Sequence, residues 1–439
     1  MLATKDNAGN KAHTIVAGED TSEHVLFDGD DIKVMTRTGS GDVLFITWQT
    51  KPGPGKDNEP FGQGLIEKND FSAVYILAKA SHWWQTPETA KVEQIIRKYL
   101  KGKSFSHRFA YGASMGGFGV LLSAAKVGCD IALVAAPQIS VDPAVVPFET
   151  RWRRDIERIK FQESDARVGI KSSCRYYILY DPVDRLDSRH VSMIADTPNV
   201  EKIAFPFAGH KILKLLKETR ILHNAVSSAS LGTLDVKALK KTVRAGRRQS
   251  PHYFETMYDM AAERGRAHLA LTASRYWWQL QPGSTTAYNA ISKGLLAEGL
   301  YDELLRVTHS HLAETNNSLV PYRNERYALN SLRRYQETFT SARAICDRPD
   351  SSADDFRWLV RGCFRQKLFD AAIAAAEEAI ARFGESPSLL RLKFETLVEA
   401  DRLDDAVPLA PRLDAIGDEK DAALLQRFRD KVAARKTDG

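Results

Sequence analysis

Gly112-Ala113-Ser114-Met115-Gly116 sets a serine between two glycines, each two positions away. The residues before it, Arg108-Phe109-Ala110-Tyr111, are apolar and partly aromatic, as in a buried strand. Those after it, from Gly117 through Phe118, Val120, Leu121 and Leu122, have the composition of a helix with small residues facing in. A serine on so tight a strand-to-helix turn is driven into a strained backbone region, and the flanking glycines leave room for strand and helix to close around it. The turn would lift the Ser114 hydroxyl clear of a sheet and aim the Met115 amide, at the helix N-terminus, at whatever the hydroxyl attacks. Two readings stand: an activated nucleophile, or a glycine-rich turn of some other doubly wound fold.

The nucleophile reading needs partners. A serine hydroxyl is too weak an acid to ionise at neutral pH, so an imidazole must take its proton, and a carboxylate behind the ring fixes the tautomer. The elements that must position these groups are legible as apolar runs. Residues 24–27 and 32–35 flank Asp28-Gly29-Asp30-Asp31, a hairpin signal, while 43–48, 71–78, 131–135, 176–180 and 200–205 read as strands. A helix starting at Thr86-Pro87-Glu88, the helix after Ser114, and one over 188–195 alternate with them. A glycine- and proline-rich loop fills 51–64. Strands alternating with helices imply a mostly parallel, doubly wound sheet, whose reactive groups collect beyond the carboxyl ends of the strands. Ser114, Asp184 and His210 all fall just past strand ends, so all three can meet on one rim.

The order serine, acid, histidine, carried by YGASMGG, DPVD and FAGH after successive strands, resembles the α/β-hydrolase family over roughly residues 24–225. The resemblance implies Ser114 as nucleophile, His210 as general base and acid, and Asp184 as the group that orients the imidazole. Asp181 competes as the acid, Asp187 is a third choice, and His190 is an alternative base; the last two sit at a helix start, where capping is the common role. The family's second oxyanion donor comes from the loop after the third strand. Here that loop begins Trp48-Gln49-Thr50 and lacks the family's frequent His-Gly pair, which leaves Gln49 beside Met115 as the expected donors. Trp48, His82, Trp83 and Trp84 belong to the same rim and could wall an acyl pocket or stack on a sugar, or simply be core. Arg151 and Arg154 lie in a long charged insert where the family often carries a lid; a solvated helix face and an anion-binding rim are both open.

The 439 residues, 43% hydrophobic and 27% charged, allow two or three domains of ordinary globular composition. A net charge of +6 is too dilute over this length to imply nucleic acid. Cys129, Cys174, Cys346 and Cys363 lack metal spacing and are too sparse for a disulfide framework, so no metal or other cofactor is expected. No apolar run is long enough to span a membrane, and the polar start lacks the apolar core of a signal peptide, so the expected compartment is the cytoplasm.

Beyond Lys211 the chain turns helical and repetitive. Tyr301, Tyr335, Phe369 and Leu403 are each 34 apart, with companion columns at Tyr288, Tyr322, Phe356, Leu390 and at Leu295, Leu329, Cys363, Leu397. The period resembles a tetratricopeptide array of about five helix-turn-helix units. Thr338 and His311 fit their columns poorly, and Pro408 and Pro411 should distort the last unit. The expected domains are a flexible arm (1–20), a hydrolase-like α/β domain (21–230), a basic helical junction (231–250), the repeats (251–420) and a capping helix with tail (421–439).

Three functions follow. One is a serine esterase or thioesterase working through an acyl-enzyme, with repeats that recruit a protein partner or self-associate. A second is an acyltransferase on the same triad, passing the acyl group to a saccharide or other hydroxyl. The third is a non-enzymatic adaptor with a vestigial hydrolase fold.

Overall fold

The computed structural model describes residues 23–52, 59–315 and 318–437. The arm expected over 1–20 lies outside them, as does the middle of the 51–64 loop. Two compact units result, one up to Met257 and one from Tyr258.

The first unit alternates strand and helix: β1 (Glu23–Asp28), β2 (Ile32–Arg37), β3 (Val43–Trp48), α1 (Gln63–Lys68), β4 (Ser72–Ala78), α2 (Glu88–Leu100), β5 (His107–Ala113), α3 (Met115–Ser123), β6 (Ile131–Ala135), α4 (Arg153–Ile156), β7 (Arg175–Tyr180), α5 (Arg185–Ser192) and β8 (Val200–Ala204). These strands form one sheet in the order β1-β2-β4-β3-β5-β6-β7-β8. β1 and β2 form the expected hairpin and β2 runs antiparallel to β4; every other pairing is parallel. The continuous apolar runs of β3, β4 and β6 are buried along their whole length, as strands covered on both faces must be. Glu88, in the first turn of α2, accepts the amides of Asp30, Asp31 and Ile32 and so ties the hairpin turn to the layer of helices.

Three helices follow β8: α6 (Ile212–Glu218), α7 (Leu222–Ser230) and α8 (Val236–Gly246). The basic stretch expected to be a junction is α8. It buries Leu239 and Val243 and leaves Lys237, Lys240, Lys241 and Arg244 outside, and it belongs to the first unit.

The repeat begins with α9 (Pro251–Glu263) and α10 (Ala267–Leu280). It continues with α11 (Thr285–Ala297) and α12 (Tyr301–Glu314), α13 (Leu319–Ser331) and α14 (Tyr335–Cys346), α15 (Ala353–Arg365) and α16 (Phe369–Phe383), then α17 (Pro387–Glu399). Successive first helices start 34 residues apart, and so do successive second helices. Each turn is closed the same way. Gly265, Gly299, Arg333, Lys367 and Asp401 all have left-handed φ. The next amide then bonds a carbonyl five residues back: Arg266 to Ala261, Leu300 to Leu295, Arg334 to Leu329, Leu368 to Cys363 and Arg402 to Leu397. This is the Schellman closure of a helix end.

The misfits are accommodated. His311 is buried and stacks on Tyr288 with ring centroids 4.4 Å apart, and Thr338 returns its hydroxyl to the Arg334 carbonyl. Tyr335 is 38% exposed, so its column marks the period more than the core. Pro408 and Pro411 break the last second helix into α18 (Leu403–Ala406), a 3-10 turn and α19 (Ala410–Asp414). The chain ends in α20 (Glu419–Thr437), whose Phe428 meets Phe394 edge-on. Among the described residues no helix is long and apolar enough to cross a membrane.

Candidate active site

Ser114 sits between β5 and α3 with φ 53° and ψ −119°, far from where a side-chain-bearing residue rests easily. Both flanking glycines are sterically required. A Cβ on Gly112 would lie 2.5 Å from the Gly116 carbonyl oxygen, and one on Gly116 would lie 2.3 Å from that of Trp48. β5, α3 and β3 therefore close on one another only because these positions carry no side chain. Met115, first in α3, has an amide with no intrahelical acceptor.

The Ser114 Oγ lies 2.8 Å from Nε2 of His210, which stands in the loop after β8. Nδ1 of His210 lies 2.8 Å from Oδ2 of Asp187, a side chain with no exposed surface. With Nδ1–H donated to the carboxylate, Nε2 is left to accept the serine proton. Burial pushes the Asp187 carboxyl up, but hydrogen bonding from His210 and the nearby Arg151 charge outweigh it and hold it below the usual carboxylate range.

The acid expected at Asp184 is not the one facing the imidazole. Asp184 is the N-cap of α5, and its Oδ1 accepts the amides of Leu186 and Asp187. One helical turn on, Asp187 points at His210. Asp181 does neither: its two oxygens accept the amides of Val183 and Gly209, which pins the loop that carries His210. Burial raises its carboxyl despite those bonds. His190, the alternative base, is fully buried against Glu149, 3.0 Å away.

The expected donor at Gln49 is otherwise engaged. Its amide bonds the Ile76 carbonyl at 2.9 Å, extending the sheet ladder, and its side-chain nitrogen bonds the Glu59 carbonyl. Gln138 takes a place near the serine that sequence reasoning did not give it. This buried residue, just past β6, brings Nε2 to 3.3 Å from Ser114 Oγ, while its Oε1 faces Nε1 of Trp83 at 3.3 Å.

The aromatic rim divides. Trp48 and Trp84 are core: they press on α3 at Gly119, and Trp84 donates to the Met115 carbonyl at 2.8 Å. His82 is structural too, since Nδ1 accepts the Trp84 amide and Nε2 donates to the Asp31 carbonyl, while burial lowers its proton affinity. Trp83 is buried but reaches the site through Gln138, and its ring lies 5.5 Å from that of Trp152, which in turn lies 6.1 Å from His210. Arg154 is exposed on α4. Arg151 instead turns inward, to Glu149 and Asp187. Among the described residues no group of three His, Cys, Asp or Glu side chains is placed to hold a metal ion.

No family model matches the chain. No curated protein matches it either. Similar solved structures include YrrB, a TPR protein with an unusual peptide-binding site, 11% identical, covering 44% of this chain and 98% of that one at a TM-score of 0.36. Another is a capsule O-acetyltransferase of Neisseria meningitidis serogroup A, 13% identical, covering 50% and 93% at 0.33. A third is XC6422 of Xanthomonas campestris, an a/b serine hydrolase without lid, 12% identical, covering 53% and 96% at 0.30. The likeness is a loose one of fold.

Proposed function

We propose that the chain is a serine hydrolase that cleaves an acyl ester or thioester through an acyl-enzyme, with Ser114 as nucleophile, His210 as general base and acid, and Asp187 as the orienting acid. The observation that carries this is the unbroken line from Ser114 Oγ through the His210 ring to buried Asp187, 2.8 Å at each step. As Oγ attacks the acyl carbon, its proton passes to Nε2, and Asp187 stabilises the imidazolium. The charge arising on the carbonyl oxygen falls near the first amides of α3, with Met115 and the Gln138 side chain as donors. The leaving alkoxide or thiolate takes the proton from Nε2. Water then gives a proton to Nε2 as its oxygen attacks the ester carbon, and Nε2 passes that proton to Ser114 Oγ as the bond to the acyl carbon breaks and the acid leaves.

A fluorophosphonate probe followed by peptide mapping tests this. Adduct on Ser114, lost together with turnover of p-nitrophenyl acetate in Ser114→Ala by at least about 10³-fold, is the expected result. A folded protein that never labels would sink the enzyme reading and leave the adaptor. To the helical array we assign recruitment of a protein partner or self-association; its cavity of about 180 Å³, lined in part by Asn330, Tyr335, Trp358, Arg361 and Arg365, offers aromatic and basic contact. Light scattering of the intact chain over a dilution series separates the two.

A further inference from the structure

Asp187 is gripped from two sides. Its Oδ2 receives Nδ1–H of His210, and its Oδ1 receives Nη1 of Arg151 at 2.7 Å. Arg151 is itself fixed, because Nε and Nη2 fork onto Glu149 at 3.0 and 2.6 Å. Behind Glu149 stands His190, whose Nε2 donates to the carboxylate. Its Nδ1 faces the Ile139 amide at 3.4 Å, which places the ring proton on Nε2 and leaves the ring neutral. The side chains of Asp187, Glu149 and His190 have at most 1% exposure, and Arg151 has 22%. Charges alternate inward from His210: carboxylate, guanidinium, carboxylate, neutral ring.

A carboxylate alone behind an imidazole in so dry a place would raise the ring's affinity for a proton. His210 would then tend to be charged already when it must accept the Ser114 proton. Arg151 opposes this, with Nη1 3.3 Å from Nδ1 of His210. It also occupies Oδ1, so that Oδ2 is the oxygen left for the ring. Burial pushes the Glu149 carboxyl up as well, but the bonds from His190 and Arg151 prevail and hold it at about 2. A permanent anion there keeps the guanidinium in place. Other charged groups come close from neighbouring elements: Asp181 past β7 on the Gly209 amide, His252 of α9 on the Ala208 carbonyl, Lys51 over Trp152 with Asp155 of α4 as its partner, and Arg189 of α5 over Phe148. Arg151 is the cation bonded directly to Asp187.

We infer that Arg151, anchored by Glu149 and His190, is a positioning residue that orients Asp187 toward His210 and keeps the imidazole in its neutral, proton-accepting form, an inference that rests on the serine-hydrolase reading above. Two measurements on the full chain test it. The ring titration of His210 is followed by NMR in a Ser114→Ala background, which needs no turnover. The acid limb of kcat/KM for p-nitrophenyl acetate is followed with Ser114 intact. Arg151→Met removes the positive charge, so both the midpoint and the limb are expected to move up by about one pH unit. Arg151→Lys keeps the charge but loses the fork, so kcat should fall at least about tenfold, with KM little changed and the limb near its original place. A His210 midpoint that stays put in folded Arg151→Met overturns the inference. Should that variant fail to fold, full kcat in Arg151→Lys overturns it instead. A midpoint that moves in a protein without Ser114-dependent turnover would sink the hydrolase reading while leaving the grip of Arg151 on the pair intact.

Discussion

In the helical array left-handed residues recur at 265, 299, 333, 367 and 401, one between the paired helices of each repeat and each closing a helix by a local hydrogen bond, with Gly384 and Gly417 outside that series. The sheet unit closes helices the same way at Asp70, Gly128, Arg220 and Gly232, but it also sets left-handed residues past the carboxyl ends of its strands: Trp83 and Trp84 after β4, Ser114 after β5, Ala136 after β6 and Phe207 after β8. The array spends its unfavourable backbone on a turn that any residue closes and glycine closes best. Past its strand ends the sheet unit uses it where side chains converge, since Ser114 and Trp83 both meet Gln138 and Ser114 meets His210. Strain at a helix end serves architecture in both units; strain past the strand ends is where side chains distant in sequence meet.

The largest test of that contrast is at the acid. Asp187→Asn should cut turnover by about 10³- to 10⁴-fold through the wrong histidine tautomer. Asp184→Ala should leave turnover within a few-fold while loss of the α5 cap costs about 1 kcal/mol by urea titration. Equal catalytic damage from both would mean that the line through Asp187 has no special standing.

The next test is Trp83→Gly. Glycine relieves the left-handed backbone, yet removing a fully buried indole should destabilise by roughly 3 kcal/mol or more in denaturant unfolding. A neutral result would show that backbone strain, not the side chain, dominates at this position.

Acid should reach both units. The Glu149 carboxyl, held near 2 against an ordinary 4.5, contributes stability that is complete above 4.5 and is lost as pH falls toward 2. Asp355 in the array, gripped by Arg323, Ser352 and Arg326, is likewise held low although burial pushes it up, so it acts in the same sense. Glu149→Gln should lower stability at pH 7 and flatten its fall between pH 4.5 and 2, read by urea unfolding across that range. An unchanged slope would remove Glu149 from the acid response.

The smallest effect is expected in the array. Lys367→Gly should stabilise by about 0.5–1 kcal/mol, because glycine adopts the left-handed turn without a Cβ penalty. Destabilisation would mean that the Lys367 side chain is needed there, contrary to the contrast above.

Much of this was legible in the residues. Apolar runs marked the strands, the 34-residue columns marked the helix pairs, and Ser114 and His210 stood out as residue types past strand ends. Asp187 did not, because Asp181, Asp184 and Asp187 crowd seven residues, and one helical turn decides which faces the ring. Asp187 read as a capping residue at a helix start, whereas it is Asp184 that caps α5. Gln138 escaped notice because an amide has no titration to advertise it, although its place beyond β6 put it on the rim. Arg151 looked solvated because its partner at Glu149 is two residues away and Asp187 is remote in sequence. Gln49 was misjudged because only the ladder shows that Ile76 takes its amide.

The helix that opens the repeat has a second allegiance. On α9, His252 bonds the Ala208 carbonyl and Thr256 lies where a Cβ on Gly209 would press, both next to His210. Tyr253 meets Phe207 edge-on in the same loop. The repeat is therefore not a cassette that could be exchanged for a foreign array at its first helix, because a graft starting at 251 would strip the splint from the histidine loop. Interchange would have to respect a seam inside a continuous helix, and the earliest residues of the period would descend with the sheet rather than with the repeats they resemble.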